Sequence, residues 1–320
     1  MTKTVYVIGE LNVDLIFSGD DIVPEPDKEK LVEQFELTLG SSSAITACRL
    51  AQLGLDVRFV SIVGCDPFGD YCVERLNHFG VSTKHIVRTK SKKTGVTVSL
   101  SDANDRALLT FLGTIAMVDQ EIVPLAEILD EADHVHFGSY FLQREMREHW
   151  YALFQAAKDH GVSTSFDVGW DPSETWDHES IGRLTEVADL FMPNETELTH
   201  LYRTSDLERL SSLLPHSHGM VAVKRGKRGA SLLTPDQGQI HADPFPVKPL
   251  DTTGAGDSFN AGLIFAFLND FTLLEMLRFA NVCGAISTEA LGGTGGELNE
   301  EIVRAKMDAN PEPGGLTGDS

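Results

Sequence analysis

The sequence contains no apolar run that approaches the roughly 20 residues a membrane-spanning helix requires. Positive charge is in short supply: 26 lysines and arginines stand against 48 aspartates and glutamates, a formal net charge of −22. A field of that sign repels nucleic acid and anionic membranes, which argues against both as partners. Cysteine is scarce as well. Cys48, Cys65, Cys72 and Cys283 are scattered without a CxxC pair, so reduced thiols, mostly in the core, are expected rather than a redox or metal role. The opening MTKTVYVIGE enters a strand pattern at once and lacks the charged and apolar regions of a signal peptide, from which a cytoplasmic protein is expected. Two phosphate-binding patterns are missing too. GxxxxGK followed by Ser or Thr does not occur, and Gly254 and Gly256 begin a GxGxxG that Phe259 breaks at the third glycine. A P-loop NTPase and a standard dinucleotide binder are therefore disfavoured.

What is present is a long alternation of short apolar runs and helical patterns. The 320 residues are 42% hydrophobic, enough for one large domain or a domain with a small appendage. TVYVIG (4–9) and VRFVSIVG (57–64) are β-branched, apolar runs that suit buried strands. Between them SSAITACRLAQLG (42–54) carries small and apolar residues at helical spacing and stops at Gly54. Asp66-Pro67 is an N-cap followed by proline at the first helical position, and Phe68, Cys72, Leu76 and Phe79 continue the stripe to Gly80. Strand patterns resume at 135–140, 163–168, 189–194 and 219–226, with helical patterns at 146–161 and 195–202. Repeated βα units predict a three-layer αβα fold with a mainly parallel central sheet.

Two stretches break this alternation. Residues 11–39 hold LNVDLIF and KLVEQFELTL around an acidic loop, and 94–112 pair TGVTVSL with RALLTFL across DAND, a hairpin pattern. Neither has room for a crossover helix, so we expect a small antiparallel β subdomain set into the body. The expected division is 1–10, 40–92 and 113–308 for the body and 11–39 and 93–112 for the β subdomain. Residues 309–320 should form a poorly packed tail.

The chemistry centres on DTTGAGDSFNAG (251–262), where small residues and a carboxylate precede an apolar helical run. At such a junction the first backbone N–H groups lack intrahelical partners and carry the positive end of the helix dipole, which suits phosphate. Gly254, Ala255 and Gly256 let phosphate oxygens approach closely, so an acidic protein can hold an anion without a basic patch. Asp257 would ordinarily repel that anion; it fits if it takes a proton from the group that attacks phosphorus. The plainer reading is a helix cap in which Asp257 neutralises the dipole.

DTTGAGDSFNAG resembles the C-terminal signature of the ribokinase-like, or PfkB-type, carbohydrate kinases, and the likeness extends over nearly the whole chain. GELNVDLI (9–16) is similar to that family's first strand, LGSSSAITACRLAQLG (39–54) to its N-terminal signature and VGCDPFG (63–69) to the segment after the next strand. PNETE (193–197) matches its NxxE motif, VKRGKRGA (223–230) resembles the turn beside the nucleotide, and RFANVCGA (278–285) resembles the helix beside the base. The resemblance implies transfer of the ATP γ-phosphoryl group to an alcohol, and a β lid for the inserted subdomain. Asp257 would be the base and the amides of Gly254, Ala255, Gly256 and Asp257 the anion hole. Asn12, Asp14, Gly40 and Ser41 would meet the acceptor; Asn194, Lys224, Gly226, Gly254, Gly256 and Asn281 would meet ATP. Glu197 and Asn194 would organise Mg²⁺ through water, and Asp251 and Thr253 stand where some members hold K⁺.

Lys224, Arg225, Lys227 and Arg228 form a dense basic cluster. Lys224 is the member expected to help with phosphates, and at least two of the four should belong to a solvated turn. The histidine pairs His134/His136 and His216/His218 have metal-like spacing but no evident third ligand, so ordinary strand or loop histidines are expected. Two departures bear on the acceptor. The family signature usually has an asparagine where Ile45 stands, and FDVGW (166–170) lacks the asparagine and arginine often found near Gly169 and Trp170. Both predict a less polar pocket than a ribose site, flanked by Tyr140 or Trp170. A sugar kinase is the leading expectation, acting with MgATP and pairing through its lid strands as a homodimer. The alternatives are a nucleoside kinase on the same scaffold and a non-catalytic sugar or nucleotide sensor.

Overall fold

The computed structural model describes residues 2–101 and 106–310. The chain opens with β1 (Thr4–Ile8), then β2 (Asn12–Ser18), β3 (Gln34–Leu39), α1 (Ser42–Gln52), β4 (Asp56–Gly64), α2 (Pro67–His78) and β5 (Ser82–Thr89). The hairpin strands β6 (Gly95–Ser101) and β7 (Arg106–Phe111) follow, then α3 (Leu125–Glu131), β8 (His134–Phe137), α4 (Trp150–Asp159), β9 (Ser163–Phe166), α5 (His178–Val187) and β10 (Leu190–Phe191). The last third holds α6 (Glu195–Tyr202), α7 (Leu207–Leu213), β11 (Met220–Lys224), β12 (Ala230–Thr234), β13 (Gly238–Ala242), α8 (Ala255–Leu268), α9 (Leu273–Ser287) and α10 (Glu300–Ala309). The DAND turn and the chain beyond residue 310 lie outside the described residues, as does most of the expected tail.

Among the described residues nine strands form one sheet in the order β13-β12-β11-β10-β9-β8-β1-β4-β5. It is parallel from β11 to β5 and turns antiparallel at β11-β12-β13. Alternation along β1 builds the three layers: Val5 and Val7 enter one hydrophobic core, Tyr6 and Ile8 the other. The first core is closed mainly by α1, α2, α8 and α9, the second by α3, α4, α5 and α6. No described helix is long and apolar enough to cross a membrane.

Local chemistry sets several element starts. Asp66 caps α2 by accepting from Gly69 N at 3.0 Å, with Pro67 at the first helical position, as the sequence predicts. Strand patterns, however, outrun the ladders at their carboxyl ends. β8 stops at Phe137, β9 at Phe166 and β10 at Phe191, while an isolated parallel bridge between Asn194 and Lys224 lies beyond β10. The helix expected from 146 begins at Trp150, after a short 3₁₀ turn at Arg144–Met146. The edge strand β5 has no clear apolar alternation in sequence; one flank is paired, and three of its eight residues are exposed with none fully buried.

The second sheet, in the order β3-β2-β6-β7, is the inserted subdomain. The expected all-antiparallel arrangement is corrected here: β2 and β6 run parallel. Between β3 and β6 the chain passes through α1, β4, α2 and β5, and that excursion lets it re-enter the lid in the direction of β2. Asn12, Asp14, Ile16, Thr97, Ser99, Leu108 and Thr110 face the cleft from this sheet.

Candidate active site

The cleft lies where the parallel strands end, the usual ligand position in open α/β sheets. A cavity of about 330 Å³ is lined by Glu10 from the end of β1, by Asn12, Asp14 and other lid residues, by Ser41, Ser42 and Ile45 of the α1 region, and by Trp170, Thr253, Gly254 and Asp257. Asn12, Asp14, Ser41, Gly254 and Asp257, expected from distant parts of the sequence, therefore share one pocket. Its walls also include Ile16, Leu108, Ile115 and Leu142, as the loss of asparagine at Ile45 suggested. Trp170 is half exposed at the rim, held edge-on against Trp176 and His200. Tyr140, expected as the other flank, is instead buried, its hydroxyl bonded to Asp177 at 3.0 Å.

Gly254 occupies the cap of α8 with φ +74°, a left-handed conformation, and a Cβ there would come within 2.5 Å of Gly293 Cα. Glycine is thus required by backbone and packing alike. Gly256 differs: its φ is not positive, and an added Cβ would meet Lys224 Nζ at 3.6 Å, ordinary contact. Nothing in the protein demands glycine at 256. Ala255 N already donates to Thr252 O at 3.3 Å.

Asp257 lies in the first turn of α8, and its Oδ1 accepts from Ser42 Oγ at 2.6 Å. Burial, with Asp167 and Glu10 nearby, pushes its pKa up to about 7, against the lowering effects of the Ser42 hydrogen bond and Lys224. Asn12 Nδ2 donates to Asp14 Oδ1 at 3.1 Å, orienting the lid carboxylate. Gly40 does not line the cavity; a Cβ there would fall 2.2 Å from Asp14 Oδ1, so its role is to leave that acid room. Ser41 lines the cavity while capping α1, with its Oγ donating to Glu10 O and accepting from Ala44 N.

Beneath the anion turn sits a polar cluster of which sequence reading found only part. Lys224 Nζ donates to Asp167 Oδ2 at 2.5 Å and to Asn260 Oδ1 at 3.1 Å; Asn260 Nδ2 also donates to Asp167 Oδ2, at 2.7 Å. Burial works to raise the Asp167 carboxyl, but Lys224 and the hydrogen bonds outweigh it and hold it below the usual range. Asn194 and Glu197 form a capping box on α6: Asn194 N donates to Glu197 Oε2 at 2.8 Å and Glu197 N to Asn194 Oδ1 at 2.9 Å. Burial and the field of Asp167 push the Glu197 carboxyl up to about 7. Asp167, Glu197 and Asp257 thus act on one another around a single ammonium, a donor set short of positive charge that suits a hard divalent cation. Among the described residues no three His, Cys, Asp or Glu side chains are grouped closely enough to hold a metal by themselves. A cation here would keep waters and rely on phosphate, the habit of Mg²⁺.

Other expected residues are engaged differently. Gly226 is exposed with φ +54° and open space around it. Arg225 and Arg228 pair with Glu195, Lys224 is held inward by Asp167 and Asn260, and Lys227 borders the larger groove. Asn281 Nδ2 donates to Ala242 O and Asp243 O, so its amide pins the chain after β13. Both Asp251 oxygens accept backbone amides, from Thr253 and Gly292, each at 2.8 Å. His134 and His136 are buried strand residues bonded to Ser163 and Ser165. A larger groove, about 1130 Å³, borders Lys227, Leu250–Thr253 and the lid, and meets the first cavity at Ile16 and Thr253.

Glu10, Ser42, Ser43, Asp167 and Asn260 were missed as site residues. Glu10 is fully buried, accepts from Ser43 Oγ at 2.7 Å, and has its pKa raised by burial. Glu10 and Asp167 each stand within two residues of the end of a buried strand. Ser42 and Asn260 stood inside quoted motifs, hidden by helical context.

A three-layer α/β body with a carboxylate at a helix N-terminus, facing a pocket under a β lid, defines a phosphotransferase of the ribokinase fold. The family model for pfkB carbohydrate kinases matches residues 2–299, and the chain belongs to that family. It is a sugar kinase, a phosphotransferase with an alcohol acceptor. It is 31% identical over 284 residues to the ATP-dependent ribose-1-phosphate kinase of Halopiger xanaduensis, covering 87% of this chain and 90% of that protein. It is 29% identical over 311 residues to the fructokinase of Salmonella typhimurium, covering 91% and 95%. Among solved structures it is similar to a fructokinase double mutant of Vibrio cholerae with fructose, ADP and potassium ion, at TM-score 0.78 and 25% identity over 95% of this chain and 98% of that one. An E. coli chain described as a ribokinase II, in complex with ATP and Mg²⁺, superposes at TM-score 0.83 and 25% identity, covering 97% and 100%.

Proposed function

We propose that the chain transfers the γ-phosphoryl group of MgATP to a hydroxyl of an unphosphorylated sugar or sugar-like alcohol held between Asp14 and Asp257. The observation that carries this reading is the convergence of Asp257, the Gly254 turn at the start of α8 and the lid carboxylate Asp14 on one cavity. Asp257 takes the acceptor proton as the acceptor oxygen bonds to phosphorus; the bond from phosphorus to the bridging oxygen breaks, and its electron pair leaves with ADP. Amides at the start of α8 meet the charge on the transferring group. Glu197, oriented by Asn194, would hold Mg²⁺ through water, and the metal supplies charge neutralisation on the phosphates. Lys224 supports the same turn from below. Asp251 and Thr253 would offer a K⁺ site, although Asp251 is already committed to two amides.

The lid walls the acceptor from water, so transfer outcompetes hydrolysis. Its outer face carries exposed Phe35, Leu109 and Phe111, and we read that face as a homodimer contact.

A coupled assay of ADP release across ketoses, aldoses, sugar acids, sugar phosphates and nucleosides tests the reading. Turnover with an unphosphorylated sugar is expected. Turnover confined to nucleosides or to sugar phosphates would overturn the acceptor class.

A further inference from the structure

The helix α1 carries a buried arginine that the chemistry above does not use. Ser42, Thr46 and Arg49 lie four and then three residues apart, one stripe of the helix. Each reaches toward the anion turn or its support. Ser42 Oγ donates to Asp257 Oδ1 at 2.6 Å and Thr46 Oγ1 to Asp257 O at 3.4 Å. Arg49 Nη2 donates to Gly295 O at 2.6 Å, and Nη1 to Gly296 O at 3.2 Å and Gln52 Oε1 at 2.8 Å. The whole residue is buried, and among the described residues none of its hydrogen-bond partners is a carboxylate. Burying a guanidinium against neutral carbonyls is costly, so the segment it holds must matter to the fold or to the reaction.

That segment is the glycine loop 292–296, which fills the gap between α1 and the anion turn. A Cβ on Gly293 would fall 2.3 Å from Ile45 Cδ1, and one on Gly254 2.5 Å from Gly293 Cα. Gly292 N donates to Asp251 Oδ2 at 2.8 Å. The loop therefore touches α1 on one side and both Asp251 and Gly254 on the other. Five residues that include four glycines have little stiffness of their own. The two carbonyls clamped by Arg49 supply it from outside.

We infer that Arg49 is a positioning residue: its guanidinium fixes the 292–296 loop as the back wall of the Gly254 turn and so sets where Asp257 and the anion-binding amides stand. This rests on the proposed roles of Asp257 and those amides. The fork geometry is what lysine lacks, so Arg49→Lys should hold one carbonyl where arginine holds two.

The test is hydrogen exchange by mass spectrometry on the full chain, wild type against Arg49→Met and Arg49→Lys, with kinetics on D-fructose and D-ribose. Faster exchange confined to 252–258 and 291–297 is expected, larger for Met than for Lys. For an acceptor that turns over, kcat should fall by about 10–10²-fold with KM for acceptor little changed. Unchanged exchange in those segments overturns the inference, and so does exchange that quickens equally in β8 to β10, the mark of a general stability loss. Should Arg49→Met not fold, Arg49→Lys carries the same readout. Local loosening with wild-type kcat also overturns it. Asp257→Asn, measured alongside, separates the two readings. If it retains turnover the proposed base is wrong, while the exchange data still judge whether Arg49 holds the loop.

Discussion

Ser42 Oγ donates a 2.6 Å hydrogen bond to Asp257 Oδ1, joining the first turns of two helices that lie 215 residues apart in the chain. The bond favours the ionised carboxylate, in a pocket whose burial pushes the other way to a pKa of about 7. A base must be deprotonated to act, so kcat/KM should rise with pH through that value. Ser42→Ala removes the bond to the charged form, and the acid limb should move to higher pH by about one unit. Asp257→Asn should lower kcat by about 10²–10⁴-fold while MgATP still binds. A limb that stays in place or moves to lower pH in Ser42→Ala would sink the assignment of that limb to Asp257.

The two glycines of the anion turn should separate under mutation. Gly254→Ala forces a side chain onto a φ of +74° and into Gly293, so the melting temperature should drop before any kinetic effect is considered. Gly256→Ala meets only Lys224 Nζ at 3.6 Å and adds helix propensity, so the fold should hold. Its methyl would crowd the phosphate that the α8 amides receive, and KM for ATP should rise or kcat fall. Thermal melts paired with steady-state kinetics check both. A Gly256→Ala enzyme with unaltered kinetics would mean that phosphate does not approach there.

Much of this was legible in the chain because the chemistry is local. The anion turn, its carboxylate and the NxxE cap are each short stretches in which helix-end physics dictates residue type. Asp14 was legible through the resemblance of GELNVDLI to the family's first strand. Glu10 and Asp167 were not, because their partners, Ser43 and Lys224, come from distant segments that only the fold brings together. Arg49 is the extreme case: a cationic residue in a helical pattern reads as solvated, and only the packing of 292–296 against α1 shows it buried. The parallel β2–β6 pair was illegible for a related reason, since hairpin turns advertise antiparallel neighbours and long excursions advertise nothing.

Glu197 makes a testable statement about Mg²⁺. Its carboxyl and that of Asp257 both stand near 7 in the folded chain, above unfolded values of about 4. Folded values raised in this way give stability that is fully present below about pH 4 and lost as pH rises through 7. The ligand-free protein should therefore lose melting temperature as pH rises from about 4 to 7, and Mg²⁺ with ADP should restore it near neutral pH by neutralising the cluster. Glu197→Gln should flatten that pH dependence and raise the Mg²⁺ concentration for half-activation several-fold. An unaltered Mg²⁺ titration would remove Glu197 from the metal's surroundings.

The lid gives the last prediction. Its cleft face is largely polar, bearing Asn12, Asp14, Thr97, Ser99 and Thr110, which leaves its outer face apolar. Register places Phe35 opposite Phe17, Leu109 opposite Val98 and Phe111 opposite Val96, so these side chains share that outer face. Part of it packs on α2, where Tyr71 Oη donates to Leu37 O at 2.9 Å. Beyond that contact Phe35, Leu109 and Phe111 remain 59%, 73% and 57% exposed. A surface of that kind on an otherwise highly acidic protein invites a second copy of itself through isologous pairing. Light scattering after size exclusion should report a dimer, and Leu109→Lys should shift it to monomer with the melting curve little changed. A wild-type chain that stays monomeric at micromolar concentration would leave the lid acting alone, and its apolar face would then need another explanation.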